Sequence, residues 1–374
     1  MIERLLRKQI EQRWESGKAI IILGPRQVGK TTLLRQICAE KGDYLFLNAD
    51  EAEIPALLEN ANELRLRQII GKSRVLFIDE AQRIRNIGLT LKIITDRIPE
   101  VRLLVSGSSS LDLASEINEP LTGRKWEFQM YPISWEELVG FSGFVDARKQ
   151  LEQRLLFGMY PEVINQTGDE REVLGQLSSS YLYRDILQYG NIRKPDMLEK
   201  LLTALALQVG SEVSYNELSQ LLQIDRYTIE QYISLLEKSF IVFRLSPLSR
   251  NLRNEINTSR KIYFYDNGIR NAVLADFKPL SLRGDVGALW ENFLVSERRK
   301  WLEYHRIWAK TYFWRSYQQQ EVDYVEEVDG SFYAWEMKWN PRAKSKFPAS
   351  YLEAYRPVTA EVLHRDNFDP FLLG

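Results

Sequence analysis

The sequence predicts an α/β protein of several domains, and three stretches carry that expectation. Ile20-Ile21-Ile22-Leu23 is an apolar, β-branched run that enters Gly24-Pro25-Arg26-Gln27-Val28-Gly29-Lys30-Thr31-Thr32, after which Leu33, Leu34 and Ile37 fall at helical spacing. Val75-Leu76-Phe77-Ile78 is apolar until it meets Asp79-Glu80, and Leu103-Leu104-Val105 until it meets Ser106-Gly107-Ser108. Strands that are apolar on both faces belong to a parallel sheet covered by helices on both sides. At 374 residues the chain is also too long for one ordinary core.

Before the first strand, Ile2, Leu5, Leu6, Ile10 and Trp14 recur at helical spacing, which predicts an amphipathic helix packed beside the sheet. The loop from Gly24 to Thr31 then fits G-x-x-x-x-G-K-[ST]. In that pattern the backbone N–H groups of a glycine loop and a helix N-terminus face phosphates, Lys30 adds a point charge, and the Thr31 hydroxyl can ligate Mg²⁺. Gly24, Pro25, Arg26, Gln27, Val28, Gly29, Lys30, Thr31 and Thr32 are therefore the candidate nucleotide-binding residues. ATP with Mg²⁺ is the expected ligand.

Tyr44-Leu45-Phe46-Leu47-Asn48 reads as the second strand, and a Leu-containing helical region follows to about Ile70. Ligands gather at the carboxyl ends of parallel strands, so Asp79 and Glu80 should emerge at the edge that carries the glycine loop. Asp79 would hold Mg²⁺ there, and Glu80 would orient and deprotonate the water that attacks the γ-phosphate. Solvated strand-end acids are the alternative. The run ending in Ser106 to Ser110 is expected between the Ile20 and Asp79 strands, aiming Ser106 or Ser108 at the γ-phosphate or the lytic water. Ser108 to Ser110 fit a turn and helix N-cap equally well. Arg124, ahead of the strand candidate Glu127 to Pro132, is placed to reach a phosphate, as an arginine finger across the interface of a homo-oligomer or as a surface ion-pair residue.

Composition narrows the remaining classes. With 44% hydrophobic and 27% charged residues and no apolar run of membrane-spanning length, no membrane partner is expected, and the compartment expected is the cytoplasm. The single cysteine, Cys38, excludes an intramolecular disulfide, and two histidines leave a structural zinc site without ligands. A net charge of −1 means that any DNA binding rests on a local patch.

Together, Gly24 to Thr32, Leu76 to Glu80, Ser106 to Ser109 and Pro132-Ile133-Ser134-Trp135-Glu136-Glu137-Leu138 resemble prokaryotic AAA-type ATPases, in particular a group whose second half has no assigned function and is related to restriction-endonuclease-like folds. Gly158-Met159-Tyr160-Pro161-Glu162 resembles that group's Gly-Gly-Tyr-Pro-Glu stretch, with Met159 in place of the second glycine. The resemblance covers nearly the whole chain and implies ATP binding and hydrolysis.

Four segments are expected: a P-loop AAA-type ATPase domain over 1–147, a helical lid over 148–208, a winged helix-turn-helix over 209–266, and an α/β restriction-endonuclease-like domain over 267–374. In the lid, Arg184 and Arg193 are candidates for a nucleotide-sensing arginine. Ser214-Tyr215-Asn216-Glu217 has capping-box spacing, Arg226 to Lys238 reads as a second helix, and two strand patterns follow. One reading puts Arg226, Tyr227 and Gln231 in a DNA groove with Arg250, Arg253, Arg260 and Lys261 near phosphates; the other makes the winged helix a packing module, since Glu230 and Glu237 would repel DNA.

In the last segment Glu291 lies in an apolar helical pattern, Asp323 on one strand pattern, and Glu336 and Lys338 on one face of the next. That set resembles the D…E-x-K core of restriction-endonuclease-like nucleases. The resemblance implies Mg²⁺ held by Asp323 and Glu336, assisted by Glu291, with Lys338 activating a water. The alternative is a degenerate fold in a nucleotide-switched regulatory protein.

Overall fold

The computed structural model describes residues 2–108, 117, 120–182, 195–249, 260–343 and 345–374, without the side chains of 180–182. Ser109, Ser110, Arg184, Arg193, Arg250 and Arg253 lie outside the described residues. The chain divides into two compact units, 1–133 with 238–240, and 134–237 with 241–374.

In the first unit, β1 (Ala19–Leu23), β2 (Tyr44–Asn48), β3 (Val75–Asp79), β4 (Arg102–Gly107) and β5 (Lys125–Gln129) form a parallel sheet in the order β2-β3-β4-β1-β5. Both β1 and β3 are buried along their whole length, as their Ile/Leu/Val content requires when helices cover both faces. The serine-ended strand does lie between β1 and β3. The helix Leu6–Gln12 buries Leu6 and Ile10, with Ile2 and Trp14 buried on either side, so the amino-terminal periodicity is read in the core of this unit.

In the second unit, the described parts of 148–208 are helical, including Leu151–Phe157, Pro161–Asn165, Glu170–Gln176 and Pro195–Leu207. The helices Tyr215–Leu222 and Arg226–Lys238 follow, the first capped by the Ser214 hydroxyl, which accepts from Glu217 N–H. Next, β6 (Glu212–Val213), β7 (Val242–Pro247) and β8 (Arg260–Phe264) pair antiparallel around β8.

This small sheet is not separate from the last segment. Strand β7 pairs in parallel with β9 (Lys310–Arg315), which continues into β10 (Glu321–Val328), β11 (Ser331–Met337) and β12 (Thr359–Leu363). The result is one seven-stranded sheet, β12-β11-β10-β9-β7-β8-β6, so the boundary expected at 266/267 falls within a continuous structure. The helix Asn267–Val273 also belongs with the earlier helices. Asn267 Nδ2 donates to the Leu155 carbonyl (3.2 Å), and Asn271 Nδ2 to that of Leu156 (2.9 Å).

Ahead of the boundary expected at 147, the compact units divide between 133 and 134. The helix Trp135–Ser142, started by a Ser134/Glu137 capping box, lies in the second unit. There Trp135 packs against Phe293 and Phe368, and its N–H donates to Glu297 (2.7 Å).

The Gly158 stretch has a packing role. Asp266 accepts from Met159 N–H (2.6 Å) and Ile269 N–H (3.1 Å), and a Cβ on Gly158 would stand 2.0 Å from Asp266 Oδ1. With φ of +74 at Gly210 and +73 at Gly158, the latter is doubly restricted. Gly158→Ala should destabilise by about 2–4 kcal/mol, from overpacking and left-handed strain together. Urea unfolding measures this, and a change below 0.5 kcal/mol (~0.5, the scale of a surface substitution) would remove the packing role.

Candidate functional site

The glycine loop leaves the buried end of β1 and becomes the helix Lys30–Lys41. Gly24 is fixed by close approach, because a Cβ there would stand 2.0 Å from the Met130 carbonyl oxygen, whose residue donates its N–H to Leu23 at 2.8 Å. Gly29 has φ of +96, which a side chain tolerates poorly. Pro25 and Val28 are buried, Arg26 is half-buried, and Gln27 and Thr32 are exposed at the loop's outer rim. Lys30 is buried, and its Nζ donates to the carbonyls of Gly24 (2.8 Å) and Pro25 (2.7 Å), so the ammonium lies over the cradle.

Behind the loop, Asp79 ends β3 on the same sheet edge. One carboxylate oxygen accepts from Thr31 Oγ1 at 2.8 Å, and the other accepts from Ser106 Oγ. The hydroxyl and carboxylate expected to serve Mg²⁺ are thus already side by side. Oxygen donors of this kind, one carboxylate with phosphate and water oxygens, are what Mg²⁺ takes. Ser106 reaches Asp79 rather than the γ-phosphate position.

Glu80 follows with φ of +53, and the short turn Ala81–Arg83 brings Gln82 back beneath it. Gln82 Nε2 donates to Glu80 Oε2 (2.6 Å) and to Ser108 Oγ (2.8 Å). Sequence reasoning missed Gln82; its position two residues after the strand-end acids was the available signal. It also missed Arg4, which is buried and donates to the carbonyls of Val28 (2.7 Å) and Tyr131 (2.6 Å), bracing the loop from the amino-terminal segment.

Arg124 takes the ion-pair position that its sequence reading allowed. It precedes β5 at the edge where the strands begin, its carbonyl accepting from Ala19 N–H, and its Nε meets Asp96 Oδ1 at 2.5 Å. The cradle lies at the other end of β1, about 13 Å away at the rise of a strand. Arg124 cannot reach a phosphate bound on its own chain.

In the second unit an Asp329-Gly330 turn, both residues at positive φ, joins β10 to β11. The register sets Asp323 opposite Glu336. Lys338 Nζ lies 3.2 Å from Asp323 Oδ2 and 3.0 Å from Glu336 Oε2, and Ser345 Oγ donates to Glu336 at 3.2 Å. Burial opposes the charge of Lys338, but Asp323 and Glu336 outweigh it and hold its pKa above the ordinary lysine value. Burial and the Asp323 charge push Glu336 upward.

Glu291, on the helix Val286–Tyr304, has other partners. Lys261 Nζ is 3.0 Å from its Oε1 and also meets Glu321, while Tyr263 Oη donates to the same Glu291 oxygen at 2.7 Å. Lys261 is 2% exposed. The expectation of Lys261 beside a DNA backbone is therefore corrected: alternation along β8 turns Lys261 and Tyr263 inward onto an acid that is distant in sequence. Of the acids expected to hold Mg²⁺ in this unit, Asp323 and Glu336 come together with Lys338, and Glu291 is held by Lys261 and Tyr263. Among the described residues no three His, Cys, Asp or Glu side chains gather so as to hold a metal ion. Lys338 lies between Asp323 and Glu336, and Lys261 holds Glu291.

Two outcomes follow from this cluster. Lys261→Met leaves buried acids without their cation and should cost about 3–5 kcal/mol in urea unfolding; a loss below 1 kcal/mol (~1, the value of a surface pair) would show the pair to be dispensable. Burial raises Glu291 to about 7, with Lys261 opposing and Asp323 adding. The stability contributed by its protonated form is complete below the unfolded carboxyl value and is lost as pH rises through about 7. Glu291→Gln should flatten the stability–pH profile between those limits, and an unchanged slope would contradict this.

A phosphate loop on β1, a hydroxyl-linked acid on β3 and a second acid beside it define a P-loop nucleotide hydrolase site. Residues 16–139 match the family model described as an AAA domain. Residues 148–280 and 286–369 match models of two domains of unknown function, DUF8612 and DUF4143. An uncharacterized protein of Mycobacterium tuberculosis is 29% identical over 327 residues, 85% of this chain and 70% of that protein. One of Methanocaldococcus jannaschii is 26% identical over 346 residues, 86% of this chain and 75% of that protein. Among solved structures, a Walker-type ATPase of Pyrococcus abyssi superimposes with a TM-score of 0.53 at 15% identity, covering 73% of this chain and 96% of that one. That likeness is one of fold. Among the described residues no helix is long and apolar enough to cross a membrane.

Proposed function

We propose that the amino-terminal unit binds and hydrolyses ATP with Mg²⁺, and that nucleotide state switches the second unit, whose own acid cluster is not catalytic. The observation that carries the first part is the Thr31–Asp79–Ser106 chain of hydrogen bonds beside the glycine loop, with Glu80 next to it. The amides from Gly29 into the following helix take the phosphates, and Lys30 moves its donors from the loop carbonyls to phosphate oxygens. Thr31 and Asp79 hold Mg²⁺, which when bound neutralises charge on the phosphates. Glu80 accepts the proton of the attacking water. Phosphate release from ATP by wild type, lost in variants of Lys30 and Glu80, is the test.

The inert C-terminal cluster is supported by the two lysines that already neutralise its acids. It is tested by incubating linear and supercoiled DNA with Mg²⁺ or Mn²⁺, with and without ATP. No cleavage is expected. Cleavage by wild type that disappears in Asp323→Ala would establish the nuclease reading instead.

A second reading keeps DNA as the partner of the switched unit, favoured by the exposure of Arg226, Tyr227 and Gln231 along the helix Arg226–Lys238. Exposed Glu230 on that helix weighs against it. Binding through phosphate contacts would weaken steeply with salt and would be reduced in Arg226→Ala. Binding that is flat with salt, or absent, would leave the segment as a protein-packing module.

A further inference from the structure

We propose that Gln82 is a positioning residue of the hydrolytic centre, tying the Ser108 hydroxyl to the Glu80 carboxylate so that Glu80 is held toward the attacking water. This rests on the ATP-hydrolysis reading of the same site. Glu80 lies at a left-handed backbone position just past β3, where the chain reverses, and nothing in β3 itself fixes the direction of its side chain. The carboxamide of Gln82 supplies that restraint, with both of its N–H groups engaged: one at 2.6 Å to Glu80, one at 2.8 Å to Ser108.

The chemistry of the partners fixes the orientation of the amide. An ionised carboxylate only accepts, so the nitrogen must face Glu80. Ser108, at the end of β4, is 4% exposed, and Gln82 is 8% exposed, so the bridge is sheltered from competing water. The other amide atom, Oε1, is buried and has no hydrogen-bond partner among the described residues. A buried carbonyl left in this state is costly. A glutamine serving only to fill the core would turn its polar atoms toward partners for both; this one satisfies its nitrogen at the expense of its oxygen, as expected if holding Glu80 is its task.

Three groups from two strands thus act as one. Ser108 works through Gln82 rather than directly on the phosphate, which assigns this serine a place between the sensor and turn roles that its sequence position allowed.

The experiment is steady-state ATP hydrolysis by the full chain with Gln82→Ala, Gln82→Glu and Ser108→Ala, together with equilibrium binding of a non-hydrolysable ATP analogue. Gln82→Ala should lower kcat by about 10- to 100-fold, the scale of a misplaced catalytic group, while KM and analogue affinity stay within about 3-fold. Gln82→Glu keeps the shape but sets a carboxylate in place of the donor against Glu80, and should lower kcat by a similar factor with analogue affinity retained. The double variant Gln82→Ala/Ser108→Ala should be no slower than Gln82→Ala alone, because both act on one group. An active wild type whose kcat is unchanged or raised in Gln82→Ala would overturn the inference, as would additive losses in the double variant. If Gln82→Ala does not fold, the isosteric Gln82→Glu decides through kcat set against analogue affinity, an unchanged kcat counting against. A wild type that hydrolyses no ATP would overturn the hydrolysis reading and this inference with it.

Discussion

Lys30→Ala lowers ATP affinity by about 100-fold, corresponding to the roughly 2–3 kcal/mol of a charge-assisted contact to phosphate. Hydrolysis falls further, because charge that develops on the phosphoryl oxygens loses its nearest fixed cation. The substitution should be tolerated by the fold. Lys30 Nζ is bonded to the carbonyls of Gly24 and Pro25, which belong to the loop itself. Titration with a fluorescent ATP analogue measures the affinity, and thermal unfolding without nucleotide serves as the control. An affinity change under about 3-fold would mean that the ammonium stays on the loop carbonyls in the bound state, and Lys30 would lose its assigned role.

Glu80→Gln has the opposite signature, with binding retained and turnover lost. Removing a general base costs about 10²- to 10⁴-fold in kcat. The new amide can still accept from Gln82 through its oxygen, so the local structure should persist, and Asp79 keeps its bonds to Thr31 and Ser106. Single-turnover hydrolysis measured beside equilibrium ATP binding separates the two effects. Turnover above a tenth of wild type would fall short of the loss of about 10²-fold or more that removal of a base brings, and would assign the proton transfer to another group. Compared with Lys30→Ala, this pair of variants separates holding the nucleotide from cleaving it.

The first unit was legible because its chemistry is local. Gly24 to Thr32 are contiguous, and a turn between a strand and a helix leaves the backbone few alternatives. Asp79 and Ser106 were each found at the end of an apolar run, and parallel strands deliver such ends to one edge. That they bond to each other follows from sheet order, β4 lying next to β3, which the runs alone only suggested. Of the two places offered for Arg124, the structure shows the ion pair, because its strand begins where β1 begins. A residue ahead of a parallel strand belongs to the far edge, and that deduction requires knowing where β5 starts.

The second unit shows the limit more plainly. The Asp323, Glu336 and Lys338 arrangement was readable from alternation along a hairpin, and it formed. Lys261 was not readable. Its neighbours Arg260, Tyr263 and Tyr265 look like the surface and face of a wing, and a lysine beside an arginine reads as basic surface.

What the sequence determined by itself is what depends on nearest neighbours: the phosphate cradle, the strand-end acids, the Ser214 helix cap and the Asp323–Glu336 hairpin. Backbone geometry dictates each within a few residues. The tertiary structure alone decided which charges compensate one another. Because β7 pairs with β9, strand β8 is carried against the helix bearing Glu291, and Lys261 and Tyr263 meet an acid some thirty (~30) residues away. Long-range pairing of this kind depends on the register and order of whole strands, and no local pattern encodes it.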